Sequence, residues 1–288
     1  MKVRELKKFA TFALVPLSIF VFVLVIPFIE GLLFTFTDWD GFKSETFVGF
    51  DNYAKAFADE KFWATLSFTF SFVMVSLIAV NVVGFGLALL VTTKMRGSNV
   101  FRTMFFVPNL IGGVILGVIW QFIFERVVTG LYKEFGWEIF RTSWLTDPDT
   151  AFWALIIVTT WQMSGYLMII YVTGIMSIEH DVLEAARIDG AGTLRTLISI
   201  KMPLMAQAFT ISLFLSLRSA FMAYDVNLAL TGGGPYRSTE LISMHVYTEA
   251  FDFGQFATGQ AKAVIMFLII ALAALTQVVI SKRMEVQR

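Results

Sequence analysis

Six stretches of this chain are so apolar, over so many residues, that they leave it one setting. Residues 9–36, 62–91, 104–124, 151–178, 204–224 and 261–281 each run for about 20 residues or more with few charges. A helix rises about 1.5 Å per residue, so about 20 residues cross the roughly 30 Å hydrocarbon core of a bilayer. In lipid the backbone must satisfy its own hydrogen bonds, and single segments of this length do so as helices. The expected fold is therefore all-α: a polytopic membrane protein with about six transmembrane helices. The chain is 57% hydrophobic and 15% charged, with a mean hydropathy of +0.73, which argues against a soluble globular domain.

The first span follows the basic residues Lys2, Arg4, Lys7 and Lys8 and contains Pro16, Pro27 and Glu30. It is too long for a cleaved signal peptide and lacks a small-x-small cleavage site, so we read it as an uncleaved span. The third span carries interruptions at Pro108-Asn109 and Gly112-Gly113. Basic residues set the orientation. With the N-terminus inside, the inner segments hold about 13 Lys and Arg in roughly 53 residues, among them Lys94, Arg96, Arg187, Lys282 and Arg288. The outer segments hold about 8 in roughly 90, Lys262 among them. Both termini and the segment 178–203 are thus expected on the cytoplasmic side. The expected organisation is a first helix with its outer segment at 1–61, a core at 62–281 that carries the segment 178–203, and a short cytoplasmic tail at 282–288.

Segment 178–203, IEHDVLEAARIDGAGTLRTLISIKMP, is a polar island between two apolar spans. Asp181 and Glu184 have capping-box spacing, which predicts a helix starting there. Gly190-Ala191-Gly192 ends it, since glycine accepts the left-handed turn of a helix terminus. Thr193 is placed to cap a second helix with Leu194, Leu197 and Ile198 on one face, and Pro203 suits the first turn of the next span. The small side chains of Ala185, Ala186, Gly190, Ala191 and Gly192 let another molecule approach the backbone, the shape of a docking hairpin.

Glu184-Ala185-Ala186, Asp189-Gly190-Ala191, Leu197, Ile200, Met202 and Pro203 resemble, in type and spacing, the EAA loop of ABC-importer permeases. That family often has a second proline soon after; Met205-Ala206-Gln207 stands here instead. Narrower resemblances lie at Phe47–Tyr53, at Phe101-Arg102-Thr103 with Phe105-Phe106-Val107-Pro108, and at Leu230–Pro235 with Ser238-Thr239, Tyr247 and Ala250-Phe251. The resemblance covers almost the whole chain. It implies the permease fold of type I ABC importers (MetI-like) and the branch that includes maltose, lactose and glycerol-3-phosphate permeases, first-subunit type. It further implies a different second permease subunit, two cytoplasmic ATPases and an extracytoplasmic solute-binding protein as partners, and a bacterial or archaeal cytoplasmic membrane. ATPase coupling would rest on Glu184, Ala185, Ala186, Asp189, Gly190, Ala191 and Pro203, with Glu184 facing a basic residue of the ATPase.

No enzyme emerges from the residues. A phosphate-cradling G-x-x-x-x-G-K-[ST] is absent, so ATP and magnesium are expected only on partner subunits and the chain itself is expected to hold no cofactor. Tyr224-Asp225 lacks the second aspartyl-protease half, and His180 and His245 lack metal-ligand spacing. With no cysteine and a formal net charge of +0, thiolate metal sites and nucleic-acid binding drop out. Gly232-Gly233-Gly234-Pro235 reads as a turn, with solute or binding-protein contact as the sharper alternative.

Polar groups inside spans mark function by default. Trp161, Gln162 and Tyr166 lie mid-span in the fourth helix, and Ser212, Ser216 and Ser219 follow one face of the fifth. Arg218 lies about 21 Å into the fifth span and either pairs with Asp225 or donates to a polar solute. Trp161, Gln162, Tyr166, Ser216, Arg218 and Ser219 are the candidate substrate contacts, although small hydroxyls also serve helix packing. Asn81 and Asn109 are read as bonds to neighbouring helices or as weaker solute contacts. The expected function is import of a sugar, with glycerol phosphate or another polar solute as the alternative. A secondary transporter would need an inverted repeat and membrane carboxylates, and neither is clear here.

Overall fold

The computed structural model describes residues 2–43, 46–93 and 96–283, without the side chains of 2–8 and Ala10. The basic side chains of Lys2, Arg4, Lys7, Lys8, Lys94 and Arg288 therefore lie outside the described set. No strand occurs among the described residues beyond one isolated bridge, Thr37 to Phe47. The apolar helices are α1 (Thr11–Phe34), α3 (Glu60–Val91), α5 (Gly113–Phe135), α6 (Pro148–Met176) and α12 (Phe256–Lys282). A sixth span is a broken pair, α8 (Thr193–Leu204) and α9 (Ala206–Phe221), bent by 72° at Met205. Shorter helices are α2 (Asp51–Ala58), α4 (Ser98–Leu110), α7 (His180–Ile188), α10 (Asp225–Leu230) and α11 (Ile242–Tyr247).

Two boundaries differ from expectation. The third apolar stretch is two helices, because Ile111 and Gly112 take extended backbone (ψ 126° and 141°) after Pro108. Its second half, α5, then runs on to Phe135 through a π-helical turn that absorbs Glu125 and Arg126. The last span starts at Phe256 instead of Ala261, which places Lys262 in its second turn. The start of α6 is built by Asp147, whose carboxylate accepts from the amides of Asp149 and Thr150 at 3.1 and 3.3 Å, with Pro148 at the first helical position.

The chain divides into two compact units. The first comprises 1–62 and 246–267. Its buried hub is Asn52, whose amide donates to the carbonyls of Thr35 (2.9 Å) and Thr37 (2.8 Å) while its oxygen accepts from Thr258. Lys262, only 1% exposed, is neutralised by Asp59 at 2.6 Å and Glu249 at 3.1 Å. Burial alone would raise the Asp59 carboxyl; the hydrogen bond and charge of Lys262 outweigh it and hold it below its ordinary value.

The second unit comprises 63–245 and 268–288. Phe72, Val73, Leu116, Leu155, Leu217 and Phe221 centre one buried cluster, joining α3, α5, α6 and α9. Val80, Ala88, Leu167, Tyr171, Met205 and Ala208 centre a second, joining α3, α6 and α9 at the end where the polar hairpin leaves. Close helix approach needs small residues. A Cβ on Gly84 would meet the Ser164 carbonyl at 3.0 Å, and one on Gly165 would overlap the Phe105 carbonyl. The remaining faces of these helices are apolar and uncovered: no residue of the most apolar window of α1 is buried, which suits lipid.

Candidate functional site

The hairpin connects α6 to the bent pair α8–α9. Its first helix, α7, starts at His180 with Glu179 at the N-cap and no side-chain cap. The expected Asp181–Glu184 capping box does not form. The N-cap falls two residues early, so Glu184 sits in the second turn, beyond reach of the N-cap amide, and lies instead 3.3 Å from His180 Nδ1. The turn after α7 forms as expected: Gly190 takes φ +75°, its amide donates to the Arg187 carbonyl, and the Ala191 amide donates to the Ala186 carbonyl at 2.9 Å. Thr193 does not cap α8; Gly192 occupies that position. Pro203 ends α8 before the bend instead of opening the long helix.

Glu184, Ala185, Asp189 and Gly190 are exposed, Ala191 and Pro203 half-buried, and Ala186 buried. The hairpin also exposes apolar side chains: Ile188 is 86% accessible, Leu194 69% and Ile198 54%. Unlike the lipid-facing helices, this segment is rich in charge, so its apolar patch is suited to another protein surface.

The candidate substrate residues scatter over three hollows. Tyr166 lines a groove of about 660 Å³ with Thr173, Ser177, Pro203 and Gln207. Gln162 and Ser219 share a smaller one of about 220 Å³ with Thr159 and Asp225. Trp161 borders a third, apolar hollow. Gln162 donates to the Ile111 carbonyl at 3.3 Å, at the break between α4 and α5. Ser219 and Asn109 both donate to the Met163 sulfur, at 3.5 and 3.8 Å. Arg218 is exposed, and no ion pair joins it to Asp225 among the described residues. Ser216 is 3% exposed and lines none of these three hollows: its hydroxyl donates to the Ser212 carbonyl at 2.7 Å and accepts from Asn81 at 2.9 Å. The structure thus places Ser216 against Ser212 and Asn81, apart from the other candidates.

Two constellations escaped sequence reasoning. Tyr171 donates to the other end of Asn81 at 2.6 Å. From within α10, Asn227 donates to the Thr239 carbonyl and accepts from the Leu241 amide, organising the following loop, in which Gly232 and Gly233 have φ of +56° and +78°. Beside it, Glu240 is buried against Arg237 at 2.5 Å and His245 at 3.5 Å. Burial would raise its carboxyl, yet the hydrogen bonds from His245 and Arg237 prevail and hold it at about 2. The acid and base three residues apart were a signal for that pair; nothing local foretold the Tyr171–Asn81 bond, 90 residues apart.

The family described as "binding-protein-dependent transport system inner membrane component" matches residues 80–286, which include the whole hairpin. The chain belongs to that family. This permease is 44% identical over 269 residues to the probable starch degradation products transport system permease AmyD of Thermoanaerobacterium thermosulfurigenes, covering 93% of this chain and 91% of that one. It is 31% identical to the multiple sugar-binding transport system permease MsmF of Streptococcus mutans, over 96% of each. Its fold matches a chain of a bacterial ABC transporter involved in import of the acidic polysaccharide alginate, with a TM-score of 0.82 at 22% identity over 97% and 96% of the two chains. Membership makes it a transport component of the inner membrane, crossing it several times.

Proposed function

We propose that this permease is one membrane subunit of an ATP-binding-cassette importer for a sugar. The names of AmyD and MsmF favour the carbohydrate class. The observation that carries the coupling role is the charged hairpin exposing Ile188 and Leu194 beside Glu184. In this reading both termini and the hairpin are cytoplasmic. Two ATPases bind the ATP and magnesium, and one of them grips this hairpin through Glu184, Ala185, Ala186, Asp189, Gly190, Ala191 and Pro203. A second permease completes the pathway, and a solute-binding protein delivers sugar from outside. Closure of the ATPases draws their grooves together, the hairpin carries that motion to α6 and α9, and the cavity exchanges inward for outward exposure.

Gln162 and Ser219, which share one hollow, are the residues best placed to meet solute; Tyr166 and Trp161 sit apart and serve the pathway wall. A second reading, an anionic solute such as an acidic sugar or glycerol phosphate, is favoured by Arg218, exposed on α9 and in no ion pair among the described residues. The test is reconstitution of the purified complex with its ATPases and binding protein. Wild type should take up sugar on ATP addition, and Glu184→Lys should release the ATPases or let them hydrolyse ATP without uptake. Normal uptake by Glu184→Lys would overturn the role of Glu184.

A further inference from the structure

Tyr171 sits five residues before the end of α6, about two turns above the hairpin, and is fully buried. It belongs to two layers at once. In the polar layer its hydroxyl donates to Asn81 of α3 at 2.6 Å, and the Asn81 amide donates to Ser216 of α9 at 2.9 Å and to the Leu77 carbonyl at 2.7 Å. In the aromatic layer its ring lies 5.3 Å from Phe85 of α3 and 4.9 Å from Phe209 of α9, while Phe85 and Phe209 lie 5.2 Å from one another. The same three helices therefore meet twice, and Tyr171 is the side chain common to both meetings. Small residues close the seam below: a Cβ on Gly174 would stand 2.7 Å from that of Ala208.

We infer that Tyr171, through Asn81, is a positioning residue that locks the two helices leaving the hairpin to α3, so that a push on the hairpin moves all three as one body. The inference deepens the importer reading and rests on it. Its physical reason is that Tyr171 and Ser216 are buried between apolar spans, where a lost hydrogen bond finds few substitutes. If α6 slid against α9, the Asn81 amide and oxygen would lose partners that lipid cannot replace. A hinge there would let the hairpin move without moving the pathway. The aromatic layer resists separation of the helices, but rings in edge contact tolerate sliding and rotation better than directed hydrogen bonds do. The polar layer thus fixes register, and register is what a lever must keep.

The variant Tyr171→Phe keeps both ring contacts and removes only the hydroxyl. One such bond shifts an equilibrium by roughly two- to tenfold. In the reconstituted importer, sugar delivered per ATP hydrolysed should fall about threefold or more, with the complex assembled and ATP hydrolysis within about twofold of wild type. A merely structural role would lower both rates together and leave that ratio unchanged. The chain has no cysteine, so Met176→Cys on α6 and Ile211→Cys on α9, both exposed, give a defined spin-label pair. The label separation should be equally narrow with and without ATP in the otherwise native chain, and should broaden in Tyr171→Phe. Ser216→Ala, which removes the other link of Asn81, should act in the same direction. If Tyr171→Phe does not assemble, Ser216→Ala decides. An unchanged delivery ratio and unchanged label width in the assembled variants would overturn the inference. A native complex that hydrolyses ATP without delivering sugar would instead refute the importer reading, and the label widths would still decide the clamp.

Discussion

Replacing Ile188 and Leu194 with serine tests whether the hairpin is a docking surface. Ile188 is 86% and Leu194 69% accessible, so neither side chain contributes much to the stability of the chain itself. Burying one such side chain completely is worth about 1.5–3 kcal/mol. Scaled by the accessible fractions, a partner that covers both gains about 2–5 kcal/mol. Interface energy concentrates in few residues, so the lower end is the working figure. At about 1.4 kcal/mol per factor of ten, that is a loss of roughly 30-fold in ATPase affinity. The assay is titration of purified ATPase onto the permease complex in nanodiscs, with the thermal unfolding of the permease followed alongside. Melting should stay within the change usual for surface substitutions, about 0.5 kcal/mol. Unaltered ATPase binding by the double variant would show that the apolar patch is not the docking surface. A large drop in melting temperature would show that these side chains serve the fold, against their exposure.

Gly165→Ala should destabilise the transmembrane bundle strongly, because the added methyl would overlap a backbone carbonyl of α4 that cannot rotate away; the midpoint of thermal aggregation in detergent should fall, and an unchanged midpoint would mean that α4 and α6 do not meet there. Glu240 is held at about 2 from an ordinary 4.5, so it stabilises its loop fully above the ordinary value and loses that contribution as pH falls toward about 2. The protection factors of residues 231–241, that is the intrinsic exchange rate at each pH divided by the observed rate, should therefore fall between about pH 4.5 and 2. Glu240→Gln should exchange faster at neutral pH and show no such acid step.

Much of the hairpin could be read before any coordinates. The Gly190 turn formed as its residue type demands, because only a residue without Cβ takes that conformation cheaply. The capping box failed although its spacing was right, because the true start of α7 depends on how the chain leaves α6, and a shift of two residues disarms the motif. Ser216 shows the limit more plainly: a serine in a span reads the same whether it faces solute or a neighbouring helix, and only the position of Asn81 decides. Arg218 went the other way, lacking the carboxylate partner that proximity in sequence offered.

By itself the sequence determined the membrane setting, the number of spans and the polar hairpin, since these follow from how long the apolar runs are and where charge interrupts them. The tertiary structure alone decided which polar side chains face a hollow and which are spent on neighbouring helices, together with the bend at Met205 and the meeting of Tyr171, Asn81 and Ser216. The reason is physical: hydropathy is summed along one segment, whereas a hydrogen bond depends on the rotation and depth of two, and these are set only when the helices pack.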